Sequence, residues 1–433
     1  MSAKPVPGPR GLEHLHTMNQ AATYTNAALW TLHERYGELF VFGFGSIRFH
    51  WLVGPDALRF VLKEEADAFT LKRAYSFLQP IGGDTALITS DDPEHLARRR
   101  LVQPAFHAKR LAVWLERIEE RTEAFVASLP PQADFYALVR PHMLRTLGEL
   151  LLGRETLARL PALVPNIATM MDFANSPFLA QQFKLNVPGL PWWRFVRARR
   201  RVDELLYAEL ERRRNAPPTD DIIGLLLAAR DDAGEPLSSA ELRDQAISLT
   251  SAGFDTTSAA LTWAVYLLVE HPAVMVRLRA ELEGCSSAQE RLKSPFLDAV
   301  VKETLRLYPT APAGLRQARR ATIYRGHLIP AGSLVAYSIY VTQRREASFE
   351  HALSFRPERW LNGFTPEPFT YAPFGYGARY CIGAQLATIL IKLTLAHLVT
   401  SCTLSAAWES PPEEAGNTVQ PKGGLPLLIH PTD

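Results

Sequence analysis

The sequence predicts a mainly α protein with a minor β-rich part. Three observations carry this. Helical periodicity with charged outer faces, as in ERIEERTEAFVASL, runs almost unbroken from Pro93 to about Leu282. Aromatic-rich alternation, LFVFGFGSIRFHWLVG, lies between Gly37 and Val61. A second alternating stretch, Ala318–Tyr340, surrounds Gly326 and Pro330–Gly332.

Taken in order, the residues up to about 35 read as an arm leading into a helix, and short strands joined by a glycine turn follow. Pro-rich breaks at Leu129–Pro131 and Val187–Pro191 divide the helices. Ser238-Ser239-Ala240-Glu241 is a capping box and His271-Pro272 a stop. Between them the pattern predicts one helix of ~32 residues, about 48 Å long. Ser294-Pro295 opens another helix that must end before Pro309. Pro357–Tyr380 is loop-like, a last helix spans Gly383–Thr400, and a short strand-like tail closes the chain. No repeat and no low-complexity linker interrupts it. The expectation is a single domain over residues 1–433. Its β-rich part covers approximately 37–70 and 315–340, and its helical part approximately 93–310 and 383–400.

Composition narrows the function classes. The 433 residues carry 47 Lys plus Arg against 45 Asp plus Glu, a net charge of +2, with 47% hydrophobic and 21% charged residues. That excludes a disordered chain, a collagen-like repeat and a nucleic-acid binder driven by bulk charge. Three cysteines, Cys285, Cys381 and Cys402, are too few for a disulfide framework and point to a reducing cytoplasm. The N-terminal MSAKPVPGPRGLEHLHTMNQ offers no apolar run for a signal peptide or anchor. The uncharged stretch Gln245–Val269 is broken by Asp255 and holds Ser248, Thr250, Ser251, Thr256, Thr257 and Ser258. Lipid would penalise these groups, so a helix buried in a large core is the better reading.

The most informative segment is Phe374-Gly375-Tyr376-Gly377-Ala378-Arg379-Tyr380-Cys381-Ile382-Gly383, which joins the loop to the last helix. A cysteine there feels the helix dipole, free backbone N–H groups and Arg379, all of which favour the thiolate. The glycines at 375, 377 and 383 let the backbone approach something flat and large. A thiolate held by N–H donors is what an iron ligand needs. A lone cysteine is more often a small buried hydrophobe, and Cys285 and Cys402 take that reading.

This segment resembles the haem-binding loop of the cytochrome P450 superfamily, Phe-x-x-Gly-x-Arg-x-Cys-x-Gly. The resemblance implies haem b (iron protoporphyrin IX) with Cys381 as axial ligand, Phe374 near the sulfur, Arg379 at a propionate and Gly383 completing the pattern. It covers essentially the whole chain. Glu303 and Arg306, three apart on one helix face, match Glu-x-x-Arg, and Phe355-Arg356-Pro357-Glu358-Arg359-Trp360 supplies a partner arginine. The implied structural triad is Glu303, Arg306 and Arg359, buried and locking the cysteine loop. Ala252-Gly253-Phe254-Asp255-Thr256-Thr257 matches the family's oxygen-binding motif, with Asp255 and Thr256 as the acid–alcohol pair. A hydroxyl backed by a carboxylate with access to water suits proton delivery. His95 and Arg99, four apart, and Arg316 match further propionate contacts, although Arg319 and Arg320 lie nearby. One departure stands after Tyr340, where relatives often read His-Arg and this chain reads Gln343-Arg344. It puts one peripheral hydrogen bond in doubt.

The implied function is a haem-thiolate monooxygenase acting on a hydrophobic small molecule: a fatty acid, terpenoid or polyketide. LRLYPTAPA at 305–313 looks most like the branch that includes bacterial fatty-acid hydroxylases. The analogous pocket draws on Phe77–Leu87, the helix around Ala252 and Ala259, and Ala311–Leu315. Electrons would come from a separate ferredoxin or flavodoxin and its reductase, docking on Arg98, Arg100, Lys109, Arg110, Arg344 and Arg345. The segment Phe173–Arg201, with Phe178, Phe183, Trp192, Trp193 and Phe195 before a basic run, reads as core packing or as an access lip making peripheral membrane contact. A cytoplasmic monomer without a transmembrane anchor is expected. Two rivals differ in kind: a peroxide-using or oxidative-coupling haem-thiolate enzyme, and a non-catalytic haem sensor.

Overall fold

The computed structural model describes residues 4–45, 47–176, 184–410, 412, 414–415 and 418–432. Its principal helices, in chain order, are α1 (Gly11–Thr23), α2 (Thr25–Tyr36), α3 (Glu94–Val102), α4 (Ala108–Ala127), α5 (Phe135–Leu152), α6 (Leu163–Ala174), α7 (Pro191–Arg214), α8 (Ser239–Glu270), α9 (Pro295–Leu307) and α10 (Ala384–Ser401). The main strands are β1 (Leu39–Phe44), β2 (Ile47–Val53), β3 (Phe69–Thr70), β4 (Ala313–Ala318) and β5 (Leu334–Ser338). The protein is mainly α with a minor β part. The N-terminal arm is itself helical, and the second strand region starts at Ala313 rather than Ala318.

The chain forms two compact units. Unit 1 gathers residues 1–76, 295–381 and 412–422, and unit 2 gathers 77–294, 382–411 and 423–433. In unit 1 the five strands lie in the order β1-β2-β5-β4-β3. β1 and β2 form an antiparallel hairpin that sets Phe42 opposite Phe49, and β2 runs parallel to β5. β4 is antiparallel to β5 and places Arg316 opposite Val335. Leu52, Leu58, Val61, Ile329 and Val335 close the core of this unit.

In unit 2, α8 has 32 residues. Ser238 and Glu241 satisfy each other's backbone N–H groups at its start, at 3.2 and 3.1 Å. His271 caps its end before Pro272. Ala259, Leu261, Trp263, Val265 and Leu268 on α8 are fully buried, and the helix packs on α5, α7 and α10. The uncharged stretch is therefore a core helix. Among the described residues α10 is the one single helix long and apolar enough to cross a membrane, and most of it is buried within the fold. The terminal strand Pro426–Pro431 pairs antiparallel with Gln132–Asp134 and Cys402–Ala406.

Candidate active site

Unit 1 carries the cysteine loop. It turns through Gly375 (φ 73°) and Gly377 (φ 68°), left-handed angles that side chains resist. Cys381 N–H donates to Phe374 O at 2.9 Å, Gly375 N–H to Ala372 O at 3.0 Å and Tyr380 N–H to Gly377 O at 3.0 Å. These bonds hold the thiol out of the fold: Cys381 is exposed, Cys285 half-buried and Cys402 buried. Burial pushes the Cys402 thiol up, as expected of a structural cysteine. Burial, and then the neighbouring Cys381 charge, push the Tyr380 phenol up. Arg379 and Phe374 are half-buried in the same turn.

In unit 2, Gly383 caps α10 at φ −88°, an ordinary angle. No protein atom among the described residues lies within 4 Å of where its Cβ would stand. Neither backbone nor neighbours demand glycine there.

Glu303 and Arg306 are both fully buried. Arg306 donates from Nε and Nη2 to the two Glu303 oxygens, each at 2.9 Å, and Arg359 Nε adds a third bond at 3.0 Å. Sequence reasoning missed two further donors: Trp360 Nε1 at 2.7 Å and the Arg356 backbone N–H at 3.0 Å. Arg306 spends its remaining donors on the carbonyls of Gln343, Ala352 and Ser354. The charges are thus mutually satisfied, the condition for keeping them buried.

Gln343 is not peripheral. It is fully buried. Its Nε2 donates to the carbonyls of Leu305 and Arg306 at 3.0 and 2.9 Å, and its Oε1 accepts from Ala372 N–H at 2.7 Å. A neutral amide thus ties the last turn of α9 to the root of the cysteine loop. Only a side chain with both donor and acceptor does this.

Of the three clustered arginines, Arg319 is exposed. Arg320 pairs with Glu65 and Asp67. Arg316 is 5% exposed. Its Nη1 reaches only the Leu315 carbonyl at 2.7 Å, and its guanidinium lies over the Tyr337 ring. No carboxylate pairs with it among the described residues. A buried cation without an anion fits a propionate.

Unit 2 carries the acid–alcohol pair. Thr256 donates from Oγ1 to Ala252 O at 2.7 Å, a back-bond that bends and opens a helix. Ala252 is exposed although Ser251, Phe254 and Asp255 are buried, so α8 presents an open patch at this turn. Asp255 does not touch water directly: its side chain is 2% exposed. Oδ1 pairs with Arg140 Nε at 3.0 Å, and Oδ2 accepts from the Asn175 amide. Arg140 continues to the more exposed Asp172 at 3.0 Å. Burial alone would lower Arg140, but the charges of Asp255 and Tyr136 outweigh it and hold the guanidinium above its usual value. Burial, then Asp255, raise Tyr136. On α3, His95 is buried with Nδ1 2.9 Å from Asp92 Oδ1, and Arg99 is half-buried.

The expected docking face changes. Arg98 is engaged by Glu241 and Ser90. Arg345 pairs with Glu38 at 2.5 Å. Arg344 is 7% exposed, pairs with Glu414 and stacks on Tyr340. Arg100 and Lys109 are exposed and Arg110 half-buried. Ala259 is fully buried, so it leaves the expected pocket lining. Trp192 and Phe195 pack with Phe173, whereas Phe178 and Phe183 lie outside the described residues.

A mainly α fold with a long core helix and an exposed cysteine in a glycine-turned loop defines the haem-thiolate class of enzymes. The family model for cytochrome P450 matches residues 6–428, and the chain belongs to this family. It is 33% identical over 391 residues to putative cytochrome P450 139 of Mycobacterium tuberculosis, covering 87% of this chain and 90% of that protein. Putative cytochrome P450 137 of the same organism is 29% identical over 439 residues, covering 98% and 90%. Among solved structures, retinoic acid-bound cyanobacterial CYP120A1 superimposes with a TM-score of 0.89 at 26% identity over 100% of both chains. The cytochrome P450DA heme domain, at 23% identity, a TM-score of 0.87 and 100% and 98% coverage, shares the fold. The residues of unit 1 fit a haem group: an exposed thiol and a buried arginine lacking an anion.

Proposed function

We propose that this chain holds haem b through Cys381 and oxygenates an apolar small molecule in the cytoplasm, as a monomer and as one functional domain over residues 1–433. The single observation carrying the reading is the exposed Cys381 thiol, presented by a loop whose own hydrogen bonds shape it. Bound haem with a thiolate ligand supplies dioxygen activation, placing one oxygen atom in the substrate and releasing the other as water at the cost of two electrons.

The chain's residues do the rest. The cation of Arg379, two residues away, favours the thiolate over the thiol. In unit 1, Arg316 and Arg379 offer positive charge to propionates, and in unit 2 His95 and Arg99 are the residues that the resemblance matches to the same role. Thr256 Oγ1 hands a proton to the oxygen site, and Asp255 replenishes it. Because Asp255 is enclosed, its carboxyl meets solvent protons only when the Asp255–Arg140 pair loosens, with Arg140 turning to the more exposed Asp172 and keeping its own proton throughout. The triad and Gln343 keep the loop in register.

An apolar substrate follows from the large exposed side chains Phe77 and Ile88 and from the open Ala252 patch. The retinoic acid bound by the cyanobacterial neighbour and the fatty-acid hydroxylase resemblance both favour a long apolar acid. Lys109 and Arg110 remain for an acidic ferredoxin or flavodoxin, beside Arg100, which pairs with the exposed Asp232 at 3.2 Å. The basic start of α7 beside exposed Val187 and Leu190 suits peripheral membrane contact. A second reading, peroxide-driven turnover, draws on the commitment of both Asp255 oxygens to Arg140 and Asn175.

The test is reduced-plus-carbon-monoxide difference spectroscopy. The thiolate signature is expected, and Cys381→Ser should abolish it. A colourless protein, or one holding its macrocycle through imidazole, overturns the reading.

A further inference from the structure

The segment of residues 79–89 is fastened to α8 by one carboxylate. Asp244 Oδ2 accepts from Thr85 N–H at 3.0 Å and Thr85 Oγ1 at 2.7 Å, and Gln245 Nε2 donates to Thr85 O at 2.8 Å. Gly83, at φ 82°, lies so close that a Cβ would stand 2.0 Å from Asp244 Oδ1. Glycine is required there because the backbone rests on the carboxylate. Arg243, the preceding residue, orients Asp244 through Nη1 at 2.9 Å. The same guanidinium bonds Asp203 of α7 at 2.7 Å and reaches Ile81 O at 3.4 Å. Arg243 and Asp244 are both buried. One ion pair therefore joins α7, α8 and the 79–89 segment.

The place matters. A Cβ placed on Gly82 would stand 3.4 Å from the Ser248 Cβ, ordinary contact distance. Ser248, Ala252 and Thr256 recur every four residues and share one face of α8. The segment thus borders the open stretch of that face, with Ile88 37% and Phe77 45% exposed beside it.

We propose that Asp244, oriented by Arg243, is a positioning residue that fixes the 79–89 segment against α8 and so sets which apolar substrates the enzyme admits. This rests on the oxygenase reading of the α8 face. The clamp itself does not depend on haem.

The experiment uses the holoenzyme with Thr85→Val, Thr85→Ser and Asp244→Ala. Hydrogen exchange of residues 79–89 should quicken about tenfold in Thr85→Val, the ~1.4 kcal/mol of one hydrogen bond to a charged group, and stay as in the parent in Thr85→Ser. Asp244→Ala should also loosen α7 around Asp203. Spin-shift titrations with decanoic to octadecanoic acids should change the chain-length preference in Thr85→Val. Unchanged exchange in 79–89 overturns the proposal. So does faster exchange with an unchanged chain-length preference, or equal losses in Thr85→Ser. A parent enzyme with no thiolate spectrum counts against the oxygenase reading alone, and the exchange measurement still decides the clamp.

Discussion

At the scale of single residues, Asp255 shows how far a side chain's role depends on partners that sequence does not announce. Its place beside Thr256 was legible from neighbouring residues. Arg140, on α5, and Asn175, in the turn after α6, hold it from 115 and 80 positions away, and no local pattern marks them. The expectation of a carboxylate in contact with water failed for that reason. Thr256, by contrast, bonds only one turn back along its own helix. Thr256→Ala removes the hydroxyl and leaves the acid network intact. It should keep substrate affinity within about twofold while reducing product per NAD(P)H severalfold. Unchanged coupling, read by oxygen and product assays, would favour the peroxide route.

At the scale of elements, the Glu303 cluster connects α9 to the segment before the cysteine loop. Five donors converge on one carboxylate, so its loss strands the buried Arg306 and the half-buried Arg359. Glu303→Gln should destabilise the protein by about 3–5 kcal/mol, seen as a lower denaturant midpoint. Equal midpoints would mean that the cluster is dispensable. The spacing of Glu303 and Arg306 was visible in the chain because helix geometry pairs residues three apart. Gln343 was misjudged. A residue type differing from its relatives says nothing about burial, and burial turns this amide into the bond between α9 and Ala372. The helix bounds of α8 were legible because capping box and proline stop act through adjacent residues.

At the scale of the whole molecule, acid should weaken the fold. His142 is buried, stacked on Phe125, and its imidazole is depressed to about 3 by burial and then by Arg121. The unfolded chain takes up that proton near pH 6.5 while the native state does not. Stability therefore falls as pH drops below that value, by up to ~1.4 kcal/mol per unit until about pH 3, and is unaffected above it. Burial depresses His33, His50 and His397 in the same direction. His142→Phe keeps the stacked ring and removes the titration, so its melting temperature should decline less between pH 6.5 and 4 than the parent's. Parallel declines would exclude His142. The fold class itself was legible from periodicity. The division into two units was not, because each draws on segments far apart in the chain.

That discontinuity bears on biosynthesis. A ribosome releases residues 1–76 long before residues 295–381 and 412–422, against which they pack. Residues 77–294 likewise wait for 423–433. Neither unit can mature until these late segments are made, so the nascent polypeptide spends most of its elongation with apolar surface uncovered and in need of chaperone protection.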